Sequence, residues 1–390
     1  MTLQMSNSDR PSLDCSIMIV GGGPAGTSTW LHLQKYAPHL AERAILIEKA
    51  VFPRDKLCAG GLGGWSSDVL ESLEIVFDIP HLSVSDVEFR FGEQIYHHHQ
   101  SDCFKVVQRL DFDHTLVKTS VNRGLKLHEG EMLIDIVRQS NRLIVKTNKR
   151  EYCVQILVGA DGALSMVRRK MMPGQKSNLS PAIQIFAPVD PQFDPEFDEK
   201  KIILDFTFTI DGLQGYIWHF PCLKQGIPSM AHGIGDTRIY PDKPRANMKN
   251  LFSHELKSRN ICRNPHTWSS HPCRWLSSEA LISQPNVILA GDAAGIEPAL
   301  GGGIHLALAY GEVVAWAIID AFKKSDFSFS DYKPRVQNHM VGKSIRMHTH
   351  LAQEIYGGRR NPLDALREFF SKRYQSPDLL SLLLSGTSLF

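Results

Sequence analysis

The 390-residue chain has no excess of charge of either sign: 43 lysines and arginines against 41 aspartates and glutamates leave a net charge of +2. That balance offers no electrostatic footprint for nucleic acid, and none is expected as a partner. The chain also lacks any Cys-x-x-Cys pair. Its seven cysteines, at 15, 58, 103, 153, 222, 262 and 273, are odd in number and read as mostly reduced thiols in a cytoplasmic protein. The first dozen residues are polar and contain Asp9, Arg10 and Pro11, so no signal peptide is visible. No apolar run reads as a transmembrane segment, because the longest, Ile304 to Phe322, is broken by His305, Gly311 and Glu312 and fits a core helix. Repeats and low-complexity tracts are absent, and Pro, Gly and polar clusters mark loops only. What is present is a 43% hydrophobic chain of a length that supports a large core and two lobes.

Three short segments, each placed after a strand-like apolar run, carry the chemistry. Ser16-Ile17-Met18-Ile19-Val20 leads into Gly21-Gly22-Gly23-Pro24-Ala25-Gly26 and then into a helix-like stretch ending at Tyr36. Gly21 permits the tight turn, Gly23 lets backbone approach a pyrophosphate, and Gly26 lets the helix pack on its strand, while the helix N-terminus adds partial positive charge. A second strand, Ala44 to Ile47, ends at Glu48, which is 22 residues after Gly26, the place of a ribose-binding carboxylate. Val154 to Val158 precedes Gly159-Ala160-Asp161-Gly162-Ala163, and Val287 to Ala290 precedes Gly291-Asp292-Ala293-Ala294-Gly295. An aspartate at the carboxyl end of a strand can accept hydrogen bonds from sugar hydroxyls. Together these segments describe one bound dinucleotide, and FAD is the expected one.

The second segment resembles the Asp-Gly fingerprint of flavoprotein monooxygenases and their relatives. The third, continuing to Gly301-Gly302-Gly303-Ile304, is similar to the segment by which that superfamily holds the ribityl chain, which implies Asp292 as ribityl ligand. Two further patches narrow the likeness: Phe52-Pro53-Arg54-Asp55-Lys56-Leu57-Cys58-Ala59-Gly60-Gly61-Leu62 and Gly215-Tyr216-Ile217-Trp218-His219-Phe220-Pro221 both resemble the geranylgeranyl reductase family, within the group A aromatic hydroxylase superfamily. The resemblance implies an α/β fold: a Rossmann-like FAD lobe of the para-hydroxybenzoate hydroxylase type, a second mixed β-sheet lobe for substrate, and C-terminal helices. The expected FAD lobe is discontinuous, at 12–80, 103–172 and 275–330; the substrate lobe takes 81–102 and 173–274, and 331–390 is helical. Implied cofactor contacts are Gly21, Gly23, Ala25, Gly26, Glu48, Lys49, Arg54, Cys58, Arg109, Asp161, Gly162, Asp292, Gly302, Gly303 and Ile304. Two departures stand out: Ala59 replaces a glycine, and Gly301-Gly302-Gly303 replaces an acidic Gly-Glu-Gly.

Candidate catalytic residues are Cys58, Tyr216 and Trp218. Arg54 and Lys56 lie close to Cys58 in sequence and would favour a thiolate, although an unpaired cysteine is more often a small buried hydrophobe. Tyr216, Trp218 and Phe220 alternate on one strand face as an apolar wall, suited to a prenyl chain or an aromatic ring. Glu297 is a candidate acid beside the flavin. No metal site is expected: His97-His98-His99 read as an exposed strand end whose side chains alternate between faces, and His348 and His350 have no acidic or cysteine partner at ligand spacing. Arg168-Arg169-Lys170 read as a solvated helix face, although in relatives an arginine after the Asp-Gly segment supports the cofactor-side loops.

Three function classes follow. The first is a reductase in which reduced FAD delivers hydride to a carbon–carbon double bond of an isoprenoid or similar apolar substrate. The second is a monooxygenase acting on an aromatic substrate, either a small molecule or a protein-borne tryptophan; halogenation is disfavoured because Gly-Tyr-Ile-Trp-His-Phe-Pro departs from the halogenase Gly-Trp-x-Trp-x-Ile-Pro. The third is a non-catalytic flavin-binding protein. No second glycine-rich unit for a nicotinamide cofactor is visible, so the reductant is a transiently bound NAD(P)H or a separate electron donor. Leu379 to Leu384 are candidates for peripheral membrane contact, or else pack on the protein itself.

Overall fold

Runs of apolar residues that would be costly to leave in water build the first sheet. Ile17, Met18, Ile19, Leu46, Ile156 and Val158 are almost wholly buried, as strands covered on both faces require. The computed structural model describes residues 15–176, 178–261 and 267–357. Its first sheet has eight strands. Lys126–Glu129, Ala44–Glu48, Cys15–Val20, Glu151–Gly159 and Val287–Leu289 lie side by side in that order, all parallel. Ser283–Gln284 closes one edge, and the hairpin Leu133–Gln139 and Arg142–Thr147 joins Glu151–Gly159 antiparallel. In register, Val20 stands beside Gly159 and Gly159 beside Leu289, so the three glycine segments leave neighbouring strands at their carboxyl ends.

Two helices cover this sheet near the site. Pro24–Tyr36 runs from the first glycine turn, and Ile304–Lys324 runs from the third segment. They approach closely because Gly311 has no side chain: a Cβ there would lie 2.3 Å from Ser28 Oγ. Ser28 Oγ also donates to Leu308 O at 2.6 Å. Ile304–Lys324 is long and apolar enough to cross a membrane, and 72% of its apolar window is buried inside the molecule, which places it in the core. A third helix, Arg109–Asn122, stops at Arg123 and Gly124, the latter at φ +105°.

The second sheet is mixed. Its order is Ser269–Ser270, Ala182–Pro188, Ile227–Gly235, Ile217–Lys224, Lys201–Asp205, His81–Phe91, Gln94–Val107 and Gly61–Leu62. All neighbours are antiparallel except Lys201–Asp205 with His81–Phe91. One face packs on helix Met340–Tyr356 through Leu351, Ala352, Ile355 and Tyr356. The other face packs on helix Met248–Ser258 through Phe252 and Leu256. The short strand Gly61–Leu62 belongs to this sheet although its loop follows Glu48, so that loop ties the two sheets together.

Some expectations change. His97–His99 sit in the middle of strand Gln94–Val107, not at a strand end. His97 and His99 are exposed beside Glu88 and Asp86, while His98 is buried on the opposite face. Arg168 is also not part of a solvated face: it is 5% exposed, unlike its exposed neighbours Arg169 and Lys170. Of the C-terminal segment expected to be helical at 331–390, the part from 358 on, with Leu379 to Leu384, lies outside the described residues.

Candidate functional site

The three glycine segments touch one another. A Cβ on Gly21, which sits at φ +106°, would lie 2.4 Å from Ala160 O, and one on Gly26 would lie 2.0 Å from Gly21 O. Only glycine fits either place, and the turn is tight for that reason. A Cβ on Gly291 would approach the Ala25 methyl at 2.8 Å. Arg168 ties the second segment to the third by donating to Ala293 O at 3.2 Å and Ala294 O at 3.4 Å, and Arg274 donates to Ala163 O at 3.1 Å. Ala25 and Ile304 are buried within this junction.

Around the first turn the side chains form a cradle rich in guanidinium groups and free helix N–H groups. Helix Pro24–Tyr36 begins at Gly23 with no side-chain cap and no acid in its first turn, leaving its N–H groups and partial positive charge to a ligand. Arg54 Nη2 and Arg109 Nη2 would lie 3.8 and 4.0 Å from a Cβ on Gly23. Both guanidiniums are held by Asp113, a fully buried carboxylate that sequence reading did not single out. Arg109 binds it with both prongs, at 2.7 and 2.8 Å, and Arg54 Nη1 lies 3.0 Å from its Oδ2. Burial opposes the charge on Arg109, but Asp113 outweighs that and raises its pKa. Glu48 accepts from Gly22 N at 2.9 Å and Ala50 N at 3.1 Å, so its carboxylate is fixed at the carboxyl end of its strand. Lys49 is exposed beside it. The cationic character is felt by His271, whose pKa is lowered to about 4 by burial and then by Lys56, Lys49 and Arg109.

Asp161 is half-buried and holds the start of helix Met166–Met171, whose N-cap is Ser165: one oxygen accepts from Ser165 Oγ at 2.5 Å, the other from Met166 N at 2.6 Å and Val167 N at 3.1 Å. Both of its oxygens are thus engaged in shaping the Asp-Gly turn, where Gly162 adopts φ +78°. Asp292 lies at the start of helix Ile304–Lys324, with Oδ1 3.8 Å from where a Cβ on Gly303 would be. Burial raises its pKa, opposed by Lys56, Arg109 and Arg274. Lys56 in turn has its pKa lowered by burial, against the pull of Asp292. Sequence reading tied Lys56 only to Cys58; the fold brings it to Asp292 because its loop crosses from one sheet to the other.

Glu297 does not project as a free acid. Its carboxylate accepts from Ala299 N, Leu300 N and Gly302 N at 2.6, 2.9 and 2.6 Å, holding the Ala299–Gly302 loop from within. His305 follows that loop and packs edge-on to Trp65 at 4.9 Å. Burial, and secondarily His348, lowers its pKa to about 3, so it is a neutral imidazole at the head of the helix.

The loop carrying Cys58 lies over aromatic rings: a Cβ on Gly61 would meet Phe220 at 3.0 Å and one on Gly63 would meet Phe104 at 2.3 Å. Cys58 is half-buried; its Sγ accepts from Gly60 N at 3.4 Å and its carbonyl from Gln184 Nε2 at 3.2 Å. Tyr216, Trp218 and Phe220 share one face, with Ile217 and His219 fully buried on the other. Tyr216 donates to Leu300 O, stacks edge-on to Trp218 at 6.0 Å, and has its pKa raised by burial. This joins the wall of the second sheet to the glycine loop of the first.

The glycine turns that no side chain could fill, the paired guanidiniums and the uncapped helix end fit a dinucleotide such as FAD. No family model matches the chain. It is 24% identical, over 90% of its length and 89% of the relative's, to digeranylgeranylglycerophospholipid reductase 3 of Methanosphaera stadtmanae. Among solved structures it is similar to a geranylgeranyl bacteriochlorophyll reductase-like protein of Thermoplasma acidophilum, with a TM-score of 0.65 and 19% identity over 94% of this chain and 98% of the other. It is also similar to a flavin-dependent brominase, with a TM-score of 0.68 and 16% identity over 95% of this chain and 92% of the other. The fold is thus the one seen in these reductase-like and flavin-dependent brominase structures. Within it, these relatives bear out the resemblance to geranylgeranyl reductase-like proteins that the motifs carry.

Proposed function

We propose that this protein is an FAD-dependent oxidoreductase that reduces carbon–carbon double bonds of an isoprenoid or similarly apolar substrate. The observation that carries the reading is the junction at Tyr216: an aromatic wall of Tyr216, Trp218 and Phe220 meets the Leu300–Gly303 loop of the cofactor cradle. Bound FAD, once reduced by NAD(P)H or another donor, supplies hydride. The chain's own residues do the rest. Arg54 and Arg109, braced by Asp113, would hold the pyrophosphate; Glu48 and Asp292 would accept from the sugar and ribityl hydroxyls. The aromatic wall excludes water and orients an apolar chain. Cys58 and Tyr216 are the protic side chains on this side, and the raised pKa of Tyr216 keeps its proton in place at working pH. The named reductase relatives support this reading.

A second reading, hydroxylation of an aromatic substrate, is favoured by one feature: the same wall accepts a flat ring, and the fold is shared with a flavin-dependent brominase and a probable FAD-dependent monooxygenase. Stopped-flow absorbance separates the two. The anaerobically reduced holoprotein should be reoxidised by a prenyl alkene without oxygen, and should return directly to oxidised flavin in oxygenated buffer. A transient absorbing species in oxygen, with a hydroxylated product and no anaerobic turnover of alkene, favours the second reading and defeats the first.

A further inference from the structure

Between the second sheet and helix Met340–Tyr356 lies an apolar cluster built from Phe89, Phe206, Trp218, Leu300, Leu351 and Ile355. Within it, Trp218 Nε1 and Tyr356 Oη are buried and have no hydrogen-bond partner among the described residues. Tyr356 is only 5% exposed. The two residues flank Tyr216: Trp218 stacks edge-on to it, and Tyr356 lies close enough to influence its ionisation. Tyr216 itself is satisfied by Leu300 O. An indole N–H can only donate and a neutral phenol donates readily, so both orphaned groups seek an acceptor. Leaving a donor buried and unpaired is costly, and groups left so mark places where a missing partner belongs. Two carboxylates act on Tyr356, Glu297 and then Asp236; Glu297 is engaged by the Ala299–Gly302 backbone, while Asp236 is fully buried, with its Oδ2 itself without a hydrogen bond among the described residues and 4.0 Å from Arg245. It does not reach Tyr356 at bonding distance, so it does not relieve the phenol.

Resting on the reading above, we infer that the substrate is not a bare hydrocarbon chain but an apolar molecule with a carbonyl oxygen, which Trp218 Nε1 and Tyr356 Oη bind at the apolar cluster beside Tyr216. A ketone of quinone type and an ester share this acceptor chemistry. The indole lies across Gly233, where a Cβ would come within 2.1 Å of its ring, so the N–H is held in one orientation. Tyr356 is held by the end of its helix, where its own carbonyl accepts from Lys243 Nζ at 2.5 Å.

The test uses FAD-loaded full-length protein and three short probes: geranylacetone (a ketone), geranyl acetate (an ester) and 2,6-dimethylocta-2,6-diene (neither). Dissociation constants are measured by calorimetric titration for the wild type, Tyr356→Phe and Trp218→Phe. At least one carbonyl probe should bind the wild type about 10-fold more tightly than the diene, and the preferred one tells ketone from ester. Tyr356→Phe should weaken that probe about 5-fold and leave the diene unchanged, and Trp218→Phe, which also trims the apolar wall, should weaken that probe about 5-fold more than it weakens the diene. Equal binding of all three probes, or equal losses across them in both variants, overturns the inference, assigns the orphaned groups to trapped water and leaves the apolar-substrate reading standing. Failure of every probe to bind overturns that reading together with the inference.

Discussion

At the residue scale, the cofactor cradle depends on a side chain that makes no direct claim on the ligand. Asp113 is fully buried and holds two guanidiniums, one of them in two-pronged contact. Neutralising it leaves two cations crowded in a desolvated place, and breaking a buried pair of this sort costs about 3–5 kcal/mol. Asp113→Asn should lower the melting temperature and release FAD on purification; a stoichiometrically yellow protein of unchanged stability would dismiss the bracing role. Gly233 serves the other lobe in the same indirect way. A Cβ there would clash with the Trp218 ring at 2.1 Å and with Ile183 O at 2.7 Å, and overpacking of this kind costs about 1–3 kcal/mol. Gly233→Ala should therefore destabilise the protein and alter its near-ultraviolet circular dichroism, the signature of a displaced indole. An unchanged spectrum would mean that the strand yields and not the ring.

At the element scale, helix Met248–Ser258 is fastened to the second sheet by a polar chain as well as by its apolar face. His219 Nδ1 and His232 Nδ1 lie 2.7 Å apart, and His219 Nε2 is 3.3 Å from Glu255, which is paired with Arg259. Only one arrangement of neutral rings satisfies this: His232 Nδ1–H donates to His219 Nδ1, freeing His219 Nε2–H to face the carboxylate. Burial lowers the pKa of both histidines. The unfolded chain takes up these protons below about pH 6.5 while the folded one does not, so stability is full above that pH and falls as the pH drops through it. His232→Gln keeps a donor for His219 and should flatten the acid slope by about 1.4 kcal/mol per pH unit between roughly pH 6.5 and 5; an unaltered slope would show that His232 is already protonated in the folded state. The elements around the site differ in how visible they are from sequence. The three turns could be read because each follows a run of apolar residues that only a covered strand would tolerate, and the wall at 216–220 because side chains alternate along a strand. Asp113 could not, since nothing distinguishes it from another helical carboxylate until Arg54 arrives from a distant loop. Glu297 looked like a free acid for a similar reason: its three backbone partners exist only once the Ala299–Gly302 loop has closed around it.

At the scale of the whole molecule, the first sheet is assembled from segments far apart in the chain, and closure depends on what joins them at the carboxyl ends of its strands. Strand pairing aligns Val20, Gly159 and Leu289, but the turns beyond those residues are tied across by few groups. Arg168 is the main protein link, donating to Ala293 O and Ala294 O, with Gln175 Oε1 accepting from its Nη2 at 2.9 Å. Among the described residues no carboxylate pairs with it, and burial, with Arg274 nearby, lowers its pKa to about 10. A desolvated cation held by neutral acceptors beside the proposed dinucleotide site is stabilised further when an anionic ligand is close; the arginine then joins the second and third turns while the ligand spans all three. FAD should accordingly raise the melting temperature by mass action, worth about 2.7 kcal/mol at a hundredfold excess over its dissociation constant. Arg168→Leu removes the protein's link while keeping bulk. If the three turns act as one unit, the variant should lose stability without FAD and should also show a smaller FAD-induced rise at the same free concentration, because binding must then order the turns unaided. Stability that falls by the same amount with and without FAD would make Arg168 a packing residue only, with the cradle already formed by strand register.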